Sequence, residues 1–368
     1  RGVPKTYSKI VEFSFLNSIF MDKKTKDIRD LSLDEINHFI TQQGEKAFRA
    51  KQIDQWLWKN GAREWNDMKN IPNNLLEKLS ENFHFKSLST LTHIVSTDGT
   101  TKFLFETHDK KHIEGVLIFS RDRVTACIST QIGCALNCGF CATGKLGLYR
   151  DLSAGEIFDQ IILMNEHLIS ISKRAITNIV VMGMGEAFLN FENSMKALEK
   201  ITLPKYLGMS PRRITVSTAG VADGIRKFAD LNSGMHLALS LHTADETLRR
   251  EIMPVTKSNP FNEIIDALKY FHQKTGERIT MEYLLLKDVN DSLEQAKALA
   301  EFCKNFPVKI NIINYNSTDE ADFKASSEEQ KNRFVKFLES KNIIVNIRAS
   351  KGDDIAAACG QLALKNKK

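Results

Sequence analysis

Three cysteines lie close together in one short stretch of the chain, Cys134-Ala-Leu-Asn-Cys138-Gly-Phe-Cys141, with the spacing C-x3-C-x2-C. Thiolates are soft ligands, and they favour zinc or iron–sulfur clusters over hard cations. Three thiolates on one loop can each bind a different iron of a 4Fe–4S cluster, which leaves the fourth iron without a protein ligand. An electron-transfer cluster normally has four protein ligands. A cluster with one open iron can bind a small molecule, so this loop predicts a cluster that takes part in chemistry.

A structural zinc site is the alternative interpretation of the same loop. Zinc in such sites takes four ligands, with a further Cys or His at short spacing. No histidine lies within the loop, and the nearest other cysteine, Cys127, precedes it on a predicted strand. The spacing therefore favours the iron–sulfur cluster over zinc.

The bulk composition is that of an ordinary globular protein. The chain has 368 residues, of which 42% are hydrophobic and 26% are charged, so it can form one large domain and a small one. Its net charge of +6 makes a polyanion a reasonable partner. Six cysteines are too few for a disulfide scaffold and suit a reducing cytoplasm, where we expect the protein to be located. No apolar run approaches the roughly 20 residues that a membrane-spanning helix needs.

The first 20 residues are expected to be an upstream extension. Their apolar stretch, Ile10–Phe20, is short and lacks a small-residue cleavage site, which argues against a signal peptide. Met21-Asp-Lys-Lys resembles a natural beginning, and the pattern leaves open whether residues 1–20 are native.

Residues 21–88 predict a small helical domain of the RNA-binding type. Ser32-Leu-Asp-Glu35 is a capping box that begins one helix, and Gly44 is placed to end it. A second helix is predicted from Phe48 to Lys59, with an apolar face made of Phe48, Ile53, Trp56 and Leu57, and a third begins at Pro72. The basic residues of this domain suit a solvated face or, as the alternative, an RNA contact; they are Arg49, Lys51, Lys59 and Arg63.

Two patterns follow along the chain. Residues 89–123 alternate with period two around the turn Asp98-Gly99, which predicts a β-hairpin linker. From residue 124 to residue 368, apolar strand-like runs alternate with helical periods, which predicts a parallel sheet with right-handed crossovers. Predicted strands lie near 124–130, 177–183, 213–218, 236–242, 279–286, 308–315 and 343–348.

Polar residues fall at the carboxyl ends of several of these strands. They are Gly185-Glu186, Ser217, Ser240, His242 and Asn316. Barrel enzymes build their sites on that rim, so we expect an α/β fold with a partial or full (β/α) barrel. Met182-Gly-Met-Gly-Glu186 offers close backbone approach and a carboxylate that can hold an ammonium group.

Three other residues, His242, Cys303 and Cys359, differ in how much their sequence context predicts. His242 is either a satisfied core histidine or a ligand-facing one, and its place at a strand end beside Ser240 favours the second. Cys303 follows the helical spacing of Leu293 and Ala296, which predicts a buried core cysteine. Cys359 is remote in sequence from Cys127, and spacing alone gives neither a role.

Four motifs together resemble the adenosine carbon-2 RNA methyltransferases, the RlmN family, within the radical S-adenosylmethionine (SAM) class. They are Cys127-Ile-Ser-Thr-Gln-Ile-Gly-Cys134, Met182-Gly-Met-Gly-Glu186, Ser210-Pro-Arg-Arg-Ile-Thr-Val-Ser-Thr218 and Ala358-Cys-Gly-Gln-Leu-Ala363. The resemblance extends from about Leu31 to the C-terminus and includes Gly44-Glu-Lys-Ala-Phe-Arg49. It implies a partial (β/α) TIM-type barrel of the radical SAM class, a small N-terminal helical domain, and a C-terminal extension that carries Cys359.

The resemblance also implies a radical mechanism with two SAM molecules per turnover. One SAM methylates Cys359, and reductive cleavage of a second at the cluster gives a 5′-deoxyadenosyl radical that takes hydrogen from this methyl group. The resulting methylene radical adds to adenine, Glu114 removes the carbon-2 proton, and Cys127 attacks the sulfur of Cys359, which releases RNA and leaves a disulfide. The implied cluster ligands are Cys134, Cys138 and Cys141. The implied SAM-binding residues are Gly185, Glu186, Ser217, Ser240, Leu241, His242 and Asn316.

The implied substrates are an adenosine at the peptidyl-transferase centre of 23S rRNA and the adenosine directly 3′ of the anticodon in certain tRNAs. The implied electron donor is a protein such as flavodoxin with its reductase, and the enzyme is expected to be a monomer. Five basic residues are candidate phosphate contacts or ordinary surface charges: Lys145, Arg212, Arg213, Arg249 and Arg250.

One residue departs from the family pattern. Ala187 stands where the carbon-2 enzymes usually have proline, and the carbon-8 adenosine methyltransferases, which cause ribosome-targeted antibiotic resistance, carry alanine there. Other stretches, such as Asn311-Ile-Ile-Asn-Tyr-Asn316, fit the carbon-2 enzymes at least as well. Carbon 2 is therefore our expectation, with carbon 8 as the alternative. A non-catalytic RNA-binding protein with a structural metal would explain the basic charge and the cysteine loop, but it would not need Cys127, Cys359 or the Gly–Glu loop.

Overall fold

A computed structural model describes residues 26–172, 174–317 and 322–364 of the chain. The predicted extension, residues 1–20, lies outside these residues. The chain divides into two compact units: residues up to 87 together with 205–207 form the first, and residues 88–204 with 208–368 form the second.

The first unit is helical in the residues described. Its helices are α1 Leu33–Gln42, α2 Phe48–Trp58 and α3 Asn73–Asn82. The predicted capping box at the start of α1 is present, since Ser32 Oγ accepts from Glu35 N and Glu35 Oε2 accepts from Ser32 N. Gly44 follows α1 with φ +80°, which glycine adopts readily.

The core of the first unit uses only part of the apolar stripe of α2. Ile53 and Leu57 are fully buried, whereas Phe48, at the first position of α2, is 49% exposed. Phe48 instead lies beneath the guanidinium of Arg49, 4.9 Å from the ring centroid.

The second unit contains a ten-stranded sheet and a separate two-stranded ribbon. The strands are β1 Ser89–Val95, β2 Thr101–Glu106, β3 His112–Phe119, β4 Val124–Cys127, β5 Gln131–Gly133, β6 Leu148–Asp151, β7 Asn178–Val181, β8 Ile214–Thr218, β9 His236–Ser240, β10 Ile279–Leu285, β11 Val308–Asn314 and β12 Ile344–Arg348. The helices are α4 Ala142–Lys145, α5 Ala154–Ser172, α6 Phe191–Thr202, α7 Ala222–Leu231, α8 Glu246–Ile252, α9 Phe261–Thr275, α10 Leu293–Phe302 and α11 Glu328–Ser340.

The order of the large sheet is β1-β2-β3-β4-β7-β8-β9-β10-β11-β12. From β4 to β12 all neighbouring strands in this order are parallel. Since β4 and β12 do not pair with each other in the described part of the chain, the parallel strands form a partial barrel. The expected α/β fold is therefore confirmed, with the polar rim at the carboxyl ends of these strands.

Residues 89–123 form part of the large sheet. Strands β1, β2 and β3 pair antiparallel in succession, and β3 pairs with β4 through Val116–Cys127 and Phe119–Val124. The hairpin predicted as a linker is thus hydrogen-bonded to the first parallel strand, because its edge strand would otherwise leave a row of unpaired backbone groups.

Buried aromatic residues fill the layer between sheet and helices. Phe158, Phe228 and Phe271 come from three different helices, and the last two rings stack with centroids 5.9 Å apart. Cys303 is buried, as its helical spacing predicts. No helix among the described residues has the length and apolarity required to cross a lipid bilayer.

A glycine in helix α7 allows the loop after β7 to pack closely. A Cβ on Gly224 would lie 2.4 Å from Phe188 Cβ, and Phe188 is two residues beyond Glu186. We expect Gly224→Ala to lower the free energy of unfolding by about 1–2 kcal/mol, since this overlap outweighs the helix propensity that alanine adds. Urea denaturation measures the change.

Lys227→Ala is the control, because Lys227 is exposed on the same helix. We expect this substitution to change the stability by no more than about 0.5 kcal/mol. A Gly224→Ala protein as stable as the native chain would contradict the close packing of Phe188 on α7.

Candidate active site

The cysteine loop lies between β5 and the short helix α4. Gly133 ends β5 with φ +79°, and a Cβ there would lie 1.8 Å from Gly147 O, so only glycine fits. Cys134 N donates to the same Gly147 carbonyl at 2.8 Å. At the other side of the loop, Gly139 N donates to Ile252 O at 2.8 Å. The loop is therefore held by the β5–β6 ribbon and by the end of helix α8.

The three loop cysteines form a donor set that suits an iron–sulfur cluster. All are half-buried and free. Among residues 26–172, 174–317 and 322–364, no three His, Cys, Asp or Glu side chains converge on one point where a single ion could bind. Each thiolate of a cubane cluster binds a different iron, so the three thiols need not converge on one point to hold such a cluster.

The electrostatics of the loop point in the same direction. Burial raises the pKa of Cys134 to about 11, and burial together with the neighbouring Cys141 and Cys134 thiols raises the pKa of Cys138 further. Thiols in such surroundings lose their protons only when a cation takes the place of the proton. The donor set therefore fits an iron–sulfur cluster.

The glycine–glutamate loop after β7 packs directly on the cysteine-bearing segment. A Cβ on Gly185, at φ +100°, would lie 2.6 Å from Gln131 Cβ, and Glu186 N donates to Gln131 Oε1 at 2.8 Å. The Glu186 carboxylate is buried, and it accepts from Ala219 N at 2.7 Å and from Phe188 N at 3.1 Å. Burial raises the pKa of Glu186, although these hydrogen bonds oppose the shift. A buried carboxylate of this kind gains from a bound ammonium group.

The other predicted SAM-binding residues lie at the carboxyl ends of β8, β9 and β11. Ser217 and Ser240 come together, with their hydroxyl oxygens 3.4 Å apart. Leu241 is fully buried and bonds through its backbone, since its N donates to Glu282 O at 3.1 Å. Asn316 is buried two residues beyond the end of β11, and its Nδ2 donates to Asn314 O at 3.4 Å.

His242 is buried and bonded to the backbone. Its Nδ1 accepts from Leu284 N at 3.1 Å, and its ring meets the edge of Phe140 with centroids 4.8 Å apart. Burial, with Arg249 nearby, lowers the pKa of His242 to about 3, so the imidazole is neutral. The ring therefore supports the cysteine loop through Phe140, which directly precedes Cys141.

Residues 358–364 bring Cys359 to this rim. Ala142 N donates to Gly360 O at 2.8 Å, and Thr143 Oγ1 donates to Leu362 O at 2.6 Å. These bonds fix the C-terminal segment to the first turn after Cys141. Cys359 itself is solvent-exposed within a crowded recess, close enough to Cys127 and Cys141 to interact electrostatically with both.

Glu114 lies inside the same recess, although a glutamate on a hairpin is usually solvent-facing. It is 1% exposed, and its Oε1 lies 3.0 Å from Lys102 Nζ. Leu364 N, in the C-terminal segment, donates to its other oxygen at 3.2 Å. Because Val116 pairs with Cys127 and Glu114 is two positions before Val116, the side chains of Glu114 and Cys127 share one face of the sheet. Their backbone positions along the strand direction differ by about 7 Å.

An ion pair that sequence reasoning missed lies near the two cysteines. Arg348 Nη1 donates to Glu282 Oε2 at 3.3 Å, and Asn311 Nδ2 donates to Glu282 Oε1 at 2.8 Å. The one available signal was a single charged residue, Glu282, within an otherwise uncharged strand.

The environment of the two thiols differs mainly in access. Burial and the neighbouring Cys359 raise the pKa of Cys127 to about 12, which Arg348 opposes. Surrounding protein atoms raise the pKa of Cys359 as well, again opposed by Arg348. Accessible surface decides which thiol a reagent can reach, and by that measure Cys359 is open and Cys127 is closed.

Of the five candidate phosphate contacts, one is buried, two lie at the far edge of the sheet and two are exposed near the site. Arg249 is fully buried and bonded to backbone carbonyls, so it cannot contact RNA. Arg212 and Arg213 precede β8 and therefore lie at the edge of the sheet opposite the site. Lys145 and Arg250 are exposed near the cysteine loop and on α8, respectively.

The chain is similar to proteins of known family along most of its length. Residues 26–84 match the family described as ribosomal RNA large subunit methyltransferase N-terminal domain, and residues 128–320 match the radical SAM superfamily. The probable dual-specificity RNA methyltransferase RlmN of Cytophaga hutchinsonii is 45% identical over 97% of this chain and 98% of its own. That of Geobacillus kaustophilus is 41% identical over 93% of each. The crystal structure of a radical SAM methyltransferase from Sphaerobacter thermophilus matches with a TM-score of 0.86 and 37% identity, covering 92% of this chain and all of the other.

The access difference between the cysteines gives a testable order of reaction. We expect limiting iodoacetamide under anaerobic conditions to alkylate Cys359 before Cys127 and Cys303, because Cys359 is exposed to solvent and both of the others are buried. Peptide mass spectrometry at successive times measures the order. In denaturant the three thiols should react alike, and equal rates in the folded protein would contradict the exposed position of Cys359.

Proposed function

The chain belongs to the RlmN family of radical SAM RNA methyltransferases, and from this we propose that it methylates carbon 2 of adenosine in 23S rRNA and in tRNA. The proposed positions are an adenosine of the peptidyl-transferase centre and the adenosine directly 3′ of the anticodon. The observation that carries the proposal is the docking of residues 358–364, since it gathers Cys359, Cys127 and Glu114 beside the cysteine loop.

The chemistry of the target explains this equipment. Carbon 2 of adenine is an electron-poor aromatic carbon, so it cannot attack a SAM methyl group by ordinary displacement. A radical route is needed, and it requires a radical source, a methyl carrier and a base within one cavity. The proposed site supplies residues for all three.

The proposed cofactors are a 4Fe–4S cluster and SAM. Cys134, Cys138 and Cys141 would hold the cluster with one iron left open, and Glu186, Ser217 and Ser240 are among the residues that would hold SAM. When bound, the cluster and SAM would supply the reactive radical and the methyl group, with two SAM molecules consumed per turnover. The cluster would also take up the one electron that the radical adduct releases together with the carbon-2 proton. The buried Glu186 carboxylate supports this assignment, because a SAM ammonium group would offset its burial.

The remaining steps belong to the chain's own side chains. Cys359 is the methyl carrier, and its exposure within the recess suits a sulfur that must reach both SAM and adenine. Glu114 accepts the carbon-2 proton, and its carboxylate lies 3.0 Å from Lys102 Nζ inside the protein. Cys127 then attacks the Cys359 sulfur, an S–S bond forms, and the sulfur–carbon bond to the RNA breaks. The electron pair of that bond, with a proton, completes the methyl group on adenine.

Several partners follow from the proposal. The target base must leave its stack to reach a recess at the barrel rim, as other base-modifying enzymes require. A low-potential electron donor such as flavodoxin with its reductase would reduce the cluster. The disulfide of Cys127 and Cys359 would need reduction before the next turnover. We place the enzyme in the cytoplasm as a monomer.

Nucleoside mass spectrometry tests the function directly. RNA is taken from a bacterial host that lacks adenosine methylation at these sites, with and without this protein. We expect 2-methyladenosine in both 23S rRNA and tRNA, and none when Cys359→Ala replaces the native chain. A protein that contains a cluster but adds no methyladenosine would contradict the proposed substrate.

The same measurement decides the regiochemistry. Ala187 is buried beside Glu186, so it can shape the loop that would hold SAM. Detection of 8-methyladenosine would show that the enzyme methylates carbon 8, which is the alternative that Ala187 suggests. The variant Ala187→Pro would then test whether this residue determines the position.

The resolving role of Cys127 has its own test. We expect Cys127→Ala to accumulate a covalent RNA–protein adduct, because no thiol remains to attack the Cys359 sulfur and release the product. Gel electrophoresis with nuclease digestion and peptide mass spectrometry identifies the adduct on Cys359. Cys303→Ala is the matched control, since Cys303 is a buried cysteine on the helical side of the sheet. A Cys127→Ala protein without bound RNA would contradict the proposal that Cys127 releases the product.

A further inference from the structure

Two adjacent arginines on helix α8 have opposite environments. Arg249 is 0% exposed, whereas Arg250 is exposed and pairs with Glu246 one turn earlier. A buried guanidinium must have its donors satisfied, because leaving a charged group in the interior without partners is costly. The hydrogen-bond partners of Arg249 therefore indicate which parts of the structure its burial stabilises.

Arg249 bonds to the ends of two neighbouring strands. Its Nη2 donates to Ala219 O at 2.7 Å, one residue after β8, and to Ser240 O at 3.0 Å, the last residue of β9. Its Nε donates to Leu241 O at 3.1 Å. Its Nη1 donates to Thr256 Oγ1 at 2.8 Å. The planar guanidinium of Arg249 thus bridges the strand ends at which the proposed SAM-binding residues lie.

These contacts connect further in both directions. The Ala219 peptide accepts from Arg249 through its oxygen and donates through its nitrogen to Glu186 Oε2 at 2.7 Å. Three residues beyond Arg249, Ile252 O accepts from Gly139 N of the cysteine loop. Gly220 keeps this route compact, since a Cβ there would lie 3.3 Å from Arg249 Nη2. Arg249 is therefore the link between the cysteine loop, the Glu186 loop and the end of β9.

The charge of Arg249 is not neutralised by these bonds. Its acceptors are three carbonyls and one hydroxyl, and no carboxylate among the described residues lies within ion-pair distance of it. Burial lowers the pKa of Arg249 to about 10, while Cys138 acts in the opposite direction, so the group stays protonated at neutral pH. A positive charge thus lies within the electrostatic range of a cysteine that would bind the cluster.

We propose that Arg249 is a positioning residue that sets the spacing between the cysteine loop and the SAM-binding strand ends, and that its buried charge stabilises the reduced form of the cluster. This inference rests on the proposed use of the cysteine loop and of the rim for cluster and SAM. The positioning role and the electrostatic role can be tested separately, because lysine keeps the positive charge but lacks the planar guanidinium.

The test compares four variants of the reconstituted holoenzyme under anaerobic conditions. Arg249→Lys and Arg249→Gln are set against Arg250→Lys and Arg250→Gln, which change the same chemistry one residue away on the exposed side. Three quantities are measured: the dissociation constant of SAM by equilibrium dialysis, the cluster midpoint potential by redox titration with EPR detection, and kcat and KM for SAM on tRNA.

The two parts predict different outcomes. Arg249→Lys is expected to weaken SAM binding by about tenfold or more, since charged hydrogen bonds to three carbonyls are lost, while the midpoint potential stays close to the native value. Arg249→Gln is expected to weaken SAM binding to a similar extent and also to move the midpoint potential to a more negative value. Both Arg250 variants should match the native enzyme in the dissociation constant of SAM and in the midpoint potential, the two quantities that do not depend on RNA.

Two results would overturn the proposal. Native SAM affinity in a folded Arg249→Gln protein would exclude the positioning role, and a native midpoint potential in that variant would exclude the electrostatic role. If the Arg249 variants do not fold, Thr256→Val removes one bond to the guanidinium while keeping the charge. It should then weaken SAM binding several-fold, and unchanged affinity in Thr256→Val would equally overturn the positioning role.

Failure of the proposed function looks different. A native enzyme that binds SAM and shows the cluster signal but methylates no RNA would refute the substrate assignment. The Arg249 comparison would still be decided by SAM affinity and midpoint potential, because neither quantity depends on RNA.

Discussion

Buried hydrogen bonds from side chains to backbone groups hold the carboxyl ends of the parallel strands in place, and the proposed active site depends on them. Backbone groups that leave a sheet lose their ladder partners and need others. Glu186 supplies acceptors after β7 and β8, and Arg249 supplies donors after β8 and β9. Asn290 supplies donors after β9 and at the end of β10, to His242 O at 2.6 Å and to Leu284 O at 2.7 Å. The carboxyl ends of the strands are therefore held in place by hydrogen bonds from buried polar side chains.

The C-terminal segment completes the site with little regular structure of its own. It is held at several points by side chain–backbone bonds: Asp98 Oδ2 accepts from Gly352 N at 3.2 Å, Asp354 Oδ2 accepts from Thr97 N at 3.1 Å, and Gln361 Nε2 donates to Ser317 O at 3.1 Å. Since the turn between β1 and β2 provides the first two contacts, the antiparallel hairpin has a purpose beyond covering a sheet edge. It anchors the segment that carries Cys359, so this thiol from near the end of the sequence lies close to residues from the middle of the chain.

Local patterns predicted much of this arrangement because they depend on neighbouring residues. The capping box at Ser32 and the alternation of strands and helices after residue 124 are set by short-range hydrogen bonding and periodicity, and both are present. Contacts between residues that are distant in the sequence were harder to predict. Phe48 matched the apolar stripe of its helix, yet it is exposed, because a stripe does not show where the core ends. Arg249 was assigned to the surface by its charge, although the carbonyls that bury it come from residues 219, 240 and 241.

The sequence by itself determined the chemical class of this protein. The cysteine spacing restricts the ligand chemistry, and the motifs around Cys127, Glu186 and Cys359 identify the family, because both are properties of residue type and order. Only the tertiary structure decided which side chains meet. It buried Glu114 against Lys102, placed Cys359 in the open and Cys127 in the interior, and turned Arg249 from the solvent into the rim. The physical reason is that desolvation and pairing depend on atoms far apart in the chain, and no local pattern records which of them will become neighbours.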